Sequence, residues 1–289
     1  MSWVSIDKDR CNECGICVTR CALVFRDNDG EITAKADENN CNLCGHCISL
    51  CPTEAIVHNQ MDMDNFNEIK ETVKYDIDDF IQFIRTRRSH RTFKDKEIPR
   101  EDLEKLVDLC RYAPTGSNKQ TVEILVIQDK EKIRKLSDFT VDFFENNLDE
   151  IEQEAQKIET EGQEVPQITK SMLNMRETLN RVVKARKFGF EVIFHQAPAV
   201  MIFHSPSLTS TPKDDCVIAA QTVVMAAMTM GLGTCYIGLF EFAANRYGPI
   251  IDELNLPSGN KVFSVLIMGY PKLKYLRTVD RMPMEARWE

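Results

Sequence analysis

The sequence predicts an α+β protein built from two unequal parts. Eight of the 11 cysteines fall within the first 51 of 289 residues, which sets apart a small cysteine-rich segment. Beyond it, helix-like and strand-like patterns alternate irregularly, unlike the regular strand–helix repeat of a doubly wound parallel sheet. Because 43% of the residues are hydrophobic, the larger part can bury a substantial core.

Two cysteine runs of identical spacing make up the first part: CNECGICVTRC from Cys11 and CNLCGHCISLC from Cys41. Zinc sites usually take cysteine pairs that are well separated in sequence. Three cysteines within seven residues instead wrap a tight loop around three corners of a cubic cluster. A disulfide framework is the other alternative, but it suits small secreted chains. The spacing therefore favours iron–sulfur clusters.

This segment, about residues 1–60, resembles a bacterial-type ferredoxin with two [4Fe–4S] clusters. One departure is that Cys51 is followed by Pro52, as in the family pattern, whereas Cys21 is followed by Ala22. The resemblance implies that each run supplies three ligands to one cluster and a fourth ligand to the other. The implied sites are Cys11, Cys14, Cys17 and Cys51 for one cluster, and Cys41, Cys44, Cys47 and Cys21 for the other.

Two kinds of residue inside the cysteine runs are not ligands in this interpretation. Gly15 and Gly45 occupy the same place in each loop, where a small residue lets backbone amides approach the sulfides. His46 lies within CGHC, and because four thiolates already fill each site, we expect it to be a polar neighbour of the cluster.

A polar, acidic stretch separates the two parts. It predicts a ferredoxin-like domain over 1–60, a linker over 61–77 and a second domain over 78–289. Within the second domain, Pro99 begins an amphipathic helix, REDLEKLVDLCRYA, and VEILVIQ (122–128) follows as a buried strand.

The remaining elements of the second domain are read from apolar runs and breaks. A charged helical insertion covers about 141–192, with a break near Gly162 and Pro166. Strand-like runs lie at 199–204 and 261–270, and an apolar helix at 216–230 lies between them. The uncharged run that contains this helix is long enough to cross a bilayer, but polar residues and glycines interrupt it, so we expect a buried core helix.

Several function classes are excluded by the same reading. A net charge of −9 argues against nucleic-acid binding. No G-x-G-x-x-G follows a strand, which argues against a Rossmann dinucleotide site. The N-terminus carries no apolar signal segment, so we expect a cytoplasmic protein that does not bind a membrane.

Three local features of the second domain point to a bound ligand. Four arginines surround Ser89 and His90 in RTRRSHR (85–91), and guanidinium groups match phosphate oxygens bidentately. The loop APTGSNKQ (113–120) offers amide donors and acceptors to a planar heterocycle. Glycines in GLGTCYIG (231–238) allow close approach of a flat ligand. The alternatives are a basic helix end paired with acidic neighbours and a plain helix-terminating loop.

Together and in this order, the three features are similar to the nitroreductase family of FMN enzymes, over about residues 78–289. The resemblance implies a mixed sheet with surrounding helices, in a homodimer with FMN at the interface and the helix 216–230 in the interface core. It implies no catalytic side chain. The implied FMN contacts are Arg87, Arg88 and Ser89 at the phosphate and ribityl chain, Arg91 at the N1/O2 edge, Pro114, Thr115, Ser117, Asn118 and Gln120 at the pyrimidine ring, Tyr236, Ile237 and Gly238 against the flavin, and Arg277 and Arg281 at the phosphate.

The two resemblances combine into one functional hypothesis: an enzyme in which two [4Fe–4S] clusters pass electrons to FMN, which reduces a small organic acceptor such as a nitroaromatic or a quinone. Each cluster carries one electron and a hydride transfer needs two, and flavin converts between them. We expect a reduced ferredoxin or another low-potential donor, with NAD(P)H as the alternative, in an anaerobic or oxygen-limited cytoplasm. The competing hypotheses are an electron-transfer or redox-sensing protein that serves a protein partner, and a flavoenzyme whose ferredoxin module is structural.

Overall fold

The computed structural model describes residues 2–69, 76–162, 164–167, 169 and 176–289. These residues fall into two compact units. The first unit lies within residues 1–76 and also takes in Ser117–Lys119. The second unit comprises Ile77–Gly116 and Gln120–Glu289. The predicted linker, 61–77, lies partly outside the described residues.

Two short antiparallel ribbons form the frame of the first unit. Strand β1 (Val4–Ile6) pairs with β4 (Ile56–His58), and β2 (Phe25–Asn28) pairs with β3 (Glu31–Ala34). Apolar side chains from all four strands, with Phe25 fully buried, meet in one small core. The ribbons therefore bring the two ends of the cysteine-rich segment together.

Each cysteine run in the first unit continues into a five-residue helix, α1 (Ile16–Arg20) or α2 (His46–Leu50). The N-cap residues are Gly15 and Gly45, with φ of 71° and 69°. A side chain is disfavoured in this left-handed conformation, which explains why glycine stands at both positions.

The second unit is built on a four-stranded sheet in the order β5-β6-β8-β7. Its strands are β5 (Glu123–Ile127), β6 (Ala199–Pro206), β7 (Gly233–Tyr236) and β8 (Asn260–Gly269), and neighbouring strands pair antiparallel. An isolated parallel bridge joins Ser89 to Thr234 at the β7 edge.

Helices cover both faces of this sheet. Alternate residues of β6 enter different layers, since Val200 and Ile202 face one core and Met201 and Phe203 face the other. The helices of the described residues are α3 (Ile77–Thr86), α4 (Arg100–Leu109), α5 (Lys130–Thr160), α6 (Arg176–Lys187), α7 (Pro212–Thr229), α8 (Gly238–Ala244) and α9 (Gly248–Leu254), with short 3₁₀ turns at Met63–Asn65, Cys110–Tyr112 and Gly116–Asn118.

Helix α7 is the apolar helix that the sequence predicts at 216–230. It begins with Pro212 in its first turn, where the missing N–H of proline costs nothing. Cys216, Val223 and Val224 are among its buried residues, and it packs on β6 and β8. Within the described part of the chain, no helix is both long and apolar enough to cross a membrane.

Two elements differ from the sequence-based expectations. Strand β7 lies inside GLGTCYIG, where the sequence predicted no strand, because pairing with β8 imposes extended structure on four residues that carry little pattern. Helix α5 begins at Lys130, well before the expected start at 141, and the carboxylate of Asp129 caps it by accepting from the Lys132 N–H at 2.7 Å. Residues 171–175 of the second predicted insertion helix lie outside the described residues.

Candidate cofactor sites

The eight clustered cysteines line two separate cavities of the first unit. The lining of one includes Cys11, Cys14, Cys17 and Cys51. The lining of the other includes Cys21, Cys41, Cys44 and Cys47. Each set combines three cysteines of one run with the last cysteine of the other run, which is the grouping that the resemblance implies.

The two cysteine loops have the same local backbone structure, thirty positions apart. The Cys11 N–H donates to Asp7 O at 3.0 Å, and the Cys41 N–H donates to Asp37 O at 2.9 Å. Glu13 and Leu43, two residues after these cysteines, have φ of 54° and 56°. The loop conformation is therefore a property of the repeated sequence, and it turns each run inward before its short helix begins.

The thiols have the state and surroundings that a cluster requires. All 11 cysteines are free of disulfides. In the described part of the chain no three His, Cys, Asp or Glu side chains are grouped for a single metal ion. Burial raises the pKa of the Cys47 thiol to about 11, so ligation of iron there releases a proton. Four convergent thiols per cavity fit a [4Fe–4S] cluster.

The basic segment of the second unit lies along the β7 edge of the sheet. The His90 N–H donates to Thr234 O at 2.9 Å, and the Lys94 N–H donates to Tyr270 O at 2.9 Å. The His90 ring covers Gly233 so closely that a Cβ there would lie 2.5 Å from its Cγ. The fold thus fixes the backbone of RRSHR by main-chain bonds.

Arg88 and Arg277 are brought together at this edge. The Arg88 guanidinium donates to Arg85 O at 2.8 Å, to Arg87 O at 2.7 Å and to Arg277 O at 3.4 Å. Its centre lies 5.7 Å from the Tyr275 ring. Among the described residues the Arg88 Nε is buried without a hydrogen-bond partner. An orphaned cationic N–H of this kind is what an anionic ligand would satisfy.

Arg87 adds positive charge near His90 and Tyr236. Burial lowers the pKa of His90, and the charges of Arg87 and Arg88 lower it further. Burial raises the pKa of Tyr236 to about 12, and Arg87 opposes that rise. The Tyr236 hydroxyl therefore keeps its proton at neutral pH, and it donates to Gln221 Oε1 at 3.3 Å.

The residues after Tyr236 differ in accessibility. Ile237 is buried and its N–H donates to Val265 O at 3.0 Å, so this amide is already bonded to the sheet. Gly238 begins α8, and a Cβ at Gly238 would meet nothing within 4 Å. The backbone at Gly238 is therefore open to a flat neighbour.

Two hydrogen bonds fix the loop 113–120, one to helix α7 and one within the loop. The Gly116 N–H donates to Asp215 Oδ1 at 3.0 Å, and the Gln120 N–H donates to Thr115 Oγ1 at 3.0 Å. Ser117 and Asn118 have φ of 52° and 55°. These two residues are counted with the first unit, whereas exposed Pro114 and Gln120 belong to the second.

Arg91 and Arg281 have contacts different from those of Arg88 and Arg277. Arg281 is exposed, and its backbone and side-chain bonds go to neighbouring Asp280. Arg91 is exposed and lines a cavity with Lys94, His195 and Lys272. The structure thus joins Arg88 to Arg277, and it places Arg91 in the lining of the cavity that also contains His195.

The cavity beside Arg91 was missed by sequence reasoning. Its lining comes from five separate stretches of chain, and no local pattern connects them. Burial lowers the pKa of His195, and Arg91 adds to this effect against the opposing charge of Glu191. Arg91 is the residue of this lining that the sequence analysis singled out, and it was assigned there to the N1/O2 edge of the flavin.

Glu191 shapes the wall of this cavity. Its carboxylate accepts from the N–H groups of Ile193, Phe194 and Gln196 at 2.9, 2.7 and 2.7 Å, and from the Ser137 hydroxyl at 2.7 Å. His195 lies inside this turn with φ of 55°. The four bonds hold a turn that would otherwise be strained at a non-glycine residue.

Two curated reductases are similar in sequence to this chain. Over 212 residues the chain is 26% identical to a Bacillus subtilis protein named FMN reductase (NAD(P)H), covering 73% of this chain and 72% of that protein. It is 25% identical over 217 residues to a 4-nitrobenzoate reductase of Pseudomonas putida, covering 72% of this chain and 92% of that protein.

A solved structure also shares the fold. It is described as a nitroreductase with bound FMN from Bacteroides fragilis, with a TM-score of 0.53 at 19% identity, and the match covers 72% of this chain and 97% of that one. The α+β class expected from the sequence is thereby confirmed. A 4Fe-4S binding domain matches residues 34–57, which include the second cysteine run. The nitroreductase family matches residues 84–270, and the chain therefore belongs to the nitroreductase family, with a ferredoxin-like 4Fe–4S domain ahead of it.

Proposed function

We propose that this protein is an FMN- and iron–sulfur-dependent oxidoreductase that takes up low-potential electrons at two [4Fe–4S] clusters and reduces a small organic acceptor, such as a nitroaromatic or a quinone, at FMN. The observation that carries the proposal is the gathering of eight thiols into two four-thiol cavities, in a chain of the nitroreductase family. The names of its relatives, FMN reductase and 4-nitrobenzoate reductase, support the flavin and the class of acceptor.

The residues of the β7 edge fit the phosphate end of FMN. Arg88 supplies a buried Nε–H that lacks a partner among the described residues, and its Nη2 donates to Arg277 O. Arg87 and Ser89 flank Arg88 on the same fixed backbone. We assign the phosphate and ribityl chain to these four residues, and we assign Arg281, in the exposed C-terminal stretch, to the phosphate.

The ring system of FMN is assigned to the other predicted residues. Gly238 offers an open backbone, and Tyr236 and Ile237 precede it. Arg91 would place positive charge at the N1/O2 edge. The pyrimidine side is assigned to Pro114, Thr115, Ser117, Asn118 and Gln120. Bound FMN would supply the exchange between single electrons and two-electron chemistry.

Two side chains, Arg91 and Tyr236, have defined roles beside the bound flavin in this proposal. Arg91 would stabilise negative charge with its planar guanidinium cation. Tyr236 holds its proton, because burial raises its pKa to about 12, and Gln221 orients the hydroxyl. No side chain is assigned as the general acid, so solvent remains the proposed source of protons.

The proposal also includes an oligomeric state, domain limits, an electron donor and a cellular environment. We propose a homodimer with FMN at the interface, supported by Val217 and Ile218, which are 38% and 39% exposed on α7 and would pack in that interface. We propose domain limits of 1–60 and 78–289, joined by 61–77. The donor is a reduced ferredoxin or another low-potential protein, with NAD(P)H as alternative donor, in an anaerobic or oxygen-limited cytoplasm.

Anaerobic assays test this function directly. The purified chain should contain about eight irons and one FMN, and dithionite-reduced ferredoxin should drive turnover of a nitroaromatic or a quinone. Cys14→Ala should abolish ferredoxin-driven turnover and spare NAD(P)H-driven turnover, whereas Cys110→Ala, outside both cysteine runs, should affect neither. If bound FMN becomes reduced but no small acceptor reoxidises it faster than free FMN, the protein is instead an electron carrier or redox sensor for a protein partner.

A further inference from the structure

His58 makes a directed contact with one of the predicted cluster ligands. Its Nε2 lies 3.4 Å from Cys41 Sγ, and its Nδ1 lies 3.1 Å from the backbone nitrogen of Gln60. A backbone N–H can only donate, so Nδ1 must be the acceptor of that bond. In a neutral imidazole the other nitrogen then carries the hydrogen. The Nε2–H of His58 therefore points at the Cys41 sulfur as a hydrogen-bond donor.

The fold holds this donor in place. His58 is the last residue of β4, where it pairs with Val4, and its side chain is buried. The next residue, Asn59, donates its backbone N–H to Trp3 O at 2.9 Å. The Trp3 ring lies 6.4 Å from the imidazole, centroid to centroid. Backbone pairing at His58 and Asn59, together with the bond from the Gln60 N–H to Nδ1, thus leaves the imidazole little freedom to turn away from Cys41.

The other thiol cavity has a different wall. No histidine is among the residues that line it, and its strand residues are Ile6, Ile32 and Ile56. Cys51 Sγ receives a backbone N–H from Ala55 at 3.2 Å and has the Thr53 hydroxyl at 3.7 Å. The two cysteine loops share one backbone structure. The two cavities differ in their linings, because an imidazole N–H is directed at a ligand sulfur in the Cys41 cavity and no histidine lines the other.

We propose that His58 makes the cluster held by Cys21, Cys41, Cys44 and Cys47 the easier of the two clusters to reduce, by donating its Nε2–H to the Cys41 thiolate. Reduction adds one electron to a cluster and makes its thiolate sulfurs more negative. A fixed N–H donor stabilises that state more than the oxidised one, and hydrogen bonds to sulfur are among the factors that set cluster potentials.

The consequence is a direction for electron flow within the first unit. With both clusters bound, the His58 donor would favour transfer of one electron from the site of Cys11, Cys14, Cys17 and Cys51 to the site of Cys21, Cys41, Cys44 and Cys47. No bond is formed or broken, and the imidazole keeps its single hydrogen throughout. This inference rests on the proposed function, since it needs both clusters.

Redox titration of the anaerobic, cluster-loaded chain tests the inference, with electron paramagnetic resonance following each reduced cluster. His58→Phe removes the donor and keeps an aromatic ring, so the ratio of reduced to oxidised cluster at one site should fall about tenfold at fixed potential, a shift of about 59 mV for a one-electron couple. The other site should be unchanged. His58→Gln, which offers an N–H near the same position, should restore most of the ratio. Gln60→Ala keeps the backbone N–H and should leave both potentials as they are.

The outcomes separate this inference from the proposed function. Unchanged potentials in His58→Phe, with about eight irons retained, overturn the role of His58 and leave the proposed function standing. Fewer irons in the unaltered chain overturn the proposed function itself. If His58→Phe does not assemble clusters, the unaltered chain labelled with ¹⁵N-histidine decides. Its reduced state should show a nitrogen hyperfine coupling that persists in His46→Gln, and the absence of this coupling overturns the inference.

Discussion

The carboxylate of Asp215 accepts two hydrogen bonds at one oxygen, from the Gly116 backbone N–H and from the Thr211 hydroxyl, each at 3.0 Å. Asp215 is 3% exposed and lies in the first turn of α7, whereas Gly116 lies in the loop after α4. The contact ties the loop proposed for the flavin pyrimidine ring to the central helix of the unit. It also explains the glycine, because a Cβ at Gly116 would lie 2.0 Å from Thr211 Oγ1.

Removing this carboxylate should loosen the loop. Asp215→Ala leaves the Gly116 N–H and the Thr211 hydroxyl without their acceptor, and we expect the free energy of unfolding to fall by about 1–3 kcal/mol. Urea denaturation measures this loss. Asp214→Ala is the matched control, because Asp214 is an exposed acidic residue in the same turn. Equal effects of both substitutions would mean that charge near the helix start, and not the bond to Gly116, is what matters.

A methyl group at Gly233 should displace the basic segment. The Cβ of Gly233→Ala would meet the His90 ring at 2.5 Å, and His90 cannot easily retreat because its N–H is bonded to Thr234 O. We expect a lower melting temperature and loss of FMN during gel filtration, since RRSHR must move with His90. Gly248→Ala is the control, because a Cβ at Gly248 meets nothing within 4 Å. Full retention of FMN by Gly233→Ala would contradict the assignment of this segment to the flavin.

His204 should make stability depend on pH. It is buried, and the Asn260 side-chain amide donates to its Nδ1 at 2.8 Å and to Glu123 Oε1 at 2.9 Å. Burial lowers the pKa of His204, against the opposing charge of Glu123. Its folded pKa is therefore below the unfolded value of about 6.5. Its contribution to stability is complete above that value and is lost as the pH falls through it towards the folded pKa.

Urea denaturation from pH 7.5 to 5.5 should show this loss in the unaltered chain. His204→Gln carries no titrating group, so we expect a shallower decline. Some slope should remain, because burial also lowers the pKa values of His90 and His195. An unchanged slope in His204→Gln would show that His204 does not contribute.

The orphaned Arg88 Nε gives a sharp test of the phosphate site. Arg88→Lys keeps the positive charge but loses the planar fork of donors, so FMN should bind about 10-fold to 100-fold more weakly if one or two charge-assisted hydrogen bonds are lost. Equilibrium fluorescence titration of the FMN-stripped chain measures the dissociation constant. Arg85→Lys, an exposed arginine at the end of α3, should bind FMN as the unaltered chain does. Equal affinity of all three chains would remove Arg88 from the site.

Local pattern was sufficient for the main secondary structure of the second unit. The runs at 122–128, 199–204 and 261–270 each overlap an observed strand, because buried strands need continuous apolar residues that are visible in the sequence. The same reasoning missed β7, whose four residues become a strand by pairing with β8. It also began the first insertion helix too late, because the capping bond from Asp129 to Lys132 is a local detail that charge patterning does not reveal.

One kind of candidate site was predictable from local spacing, and another was not. The cysteine spacing indicates iron–sulfur chemistry by itself, because three ligands within seven residues already form most of one site. The cavity beside Arg91 could not be predicted, since its lining comes from distant stretches of chain and the arginine-rich segment supplies one end of one stretch.

The sequence by itself determined that this chain has a cluster-binding part and a larger α+β part with an arginine-rich segment, because repeated spacing and apolar periodicity are local properties of a chain. Only the tertiary structure decided that His58 donates to Cys41, that Asp215 holds Gly116 and that Arg88 meets Arg277. These contacts join residues that are 17, 99 and 189 positions apart. Such contacts depend on strand pairing and core packing across the whole unit, which no local pattern encodes.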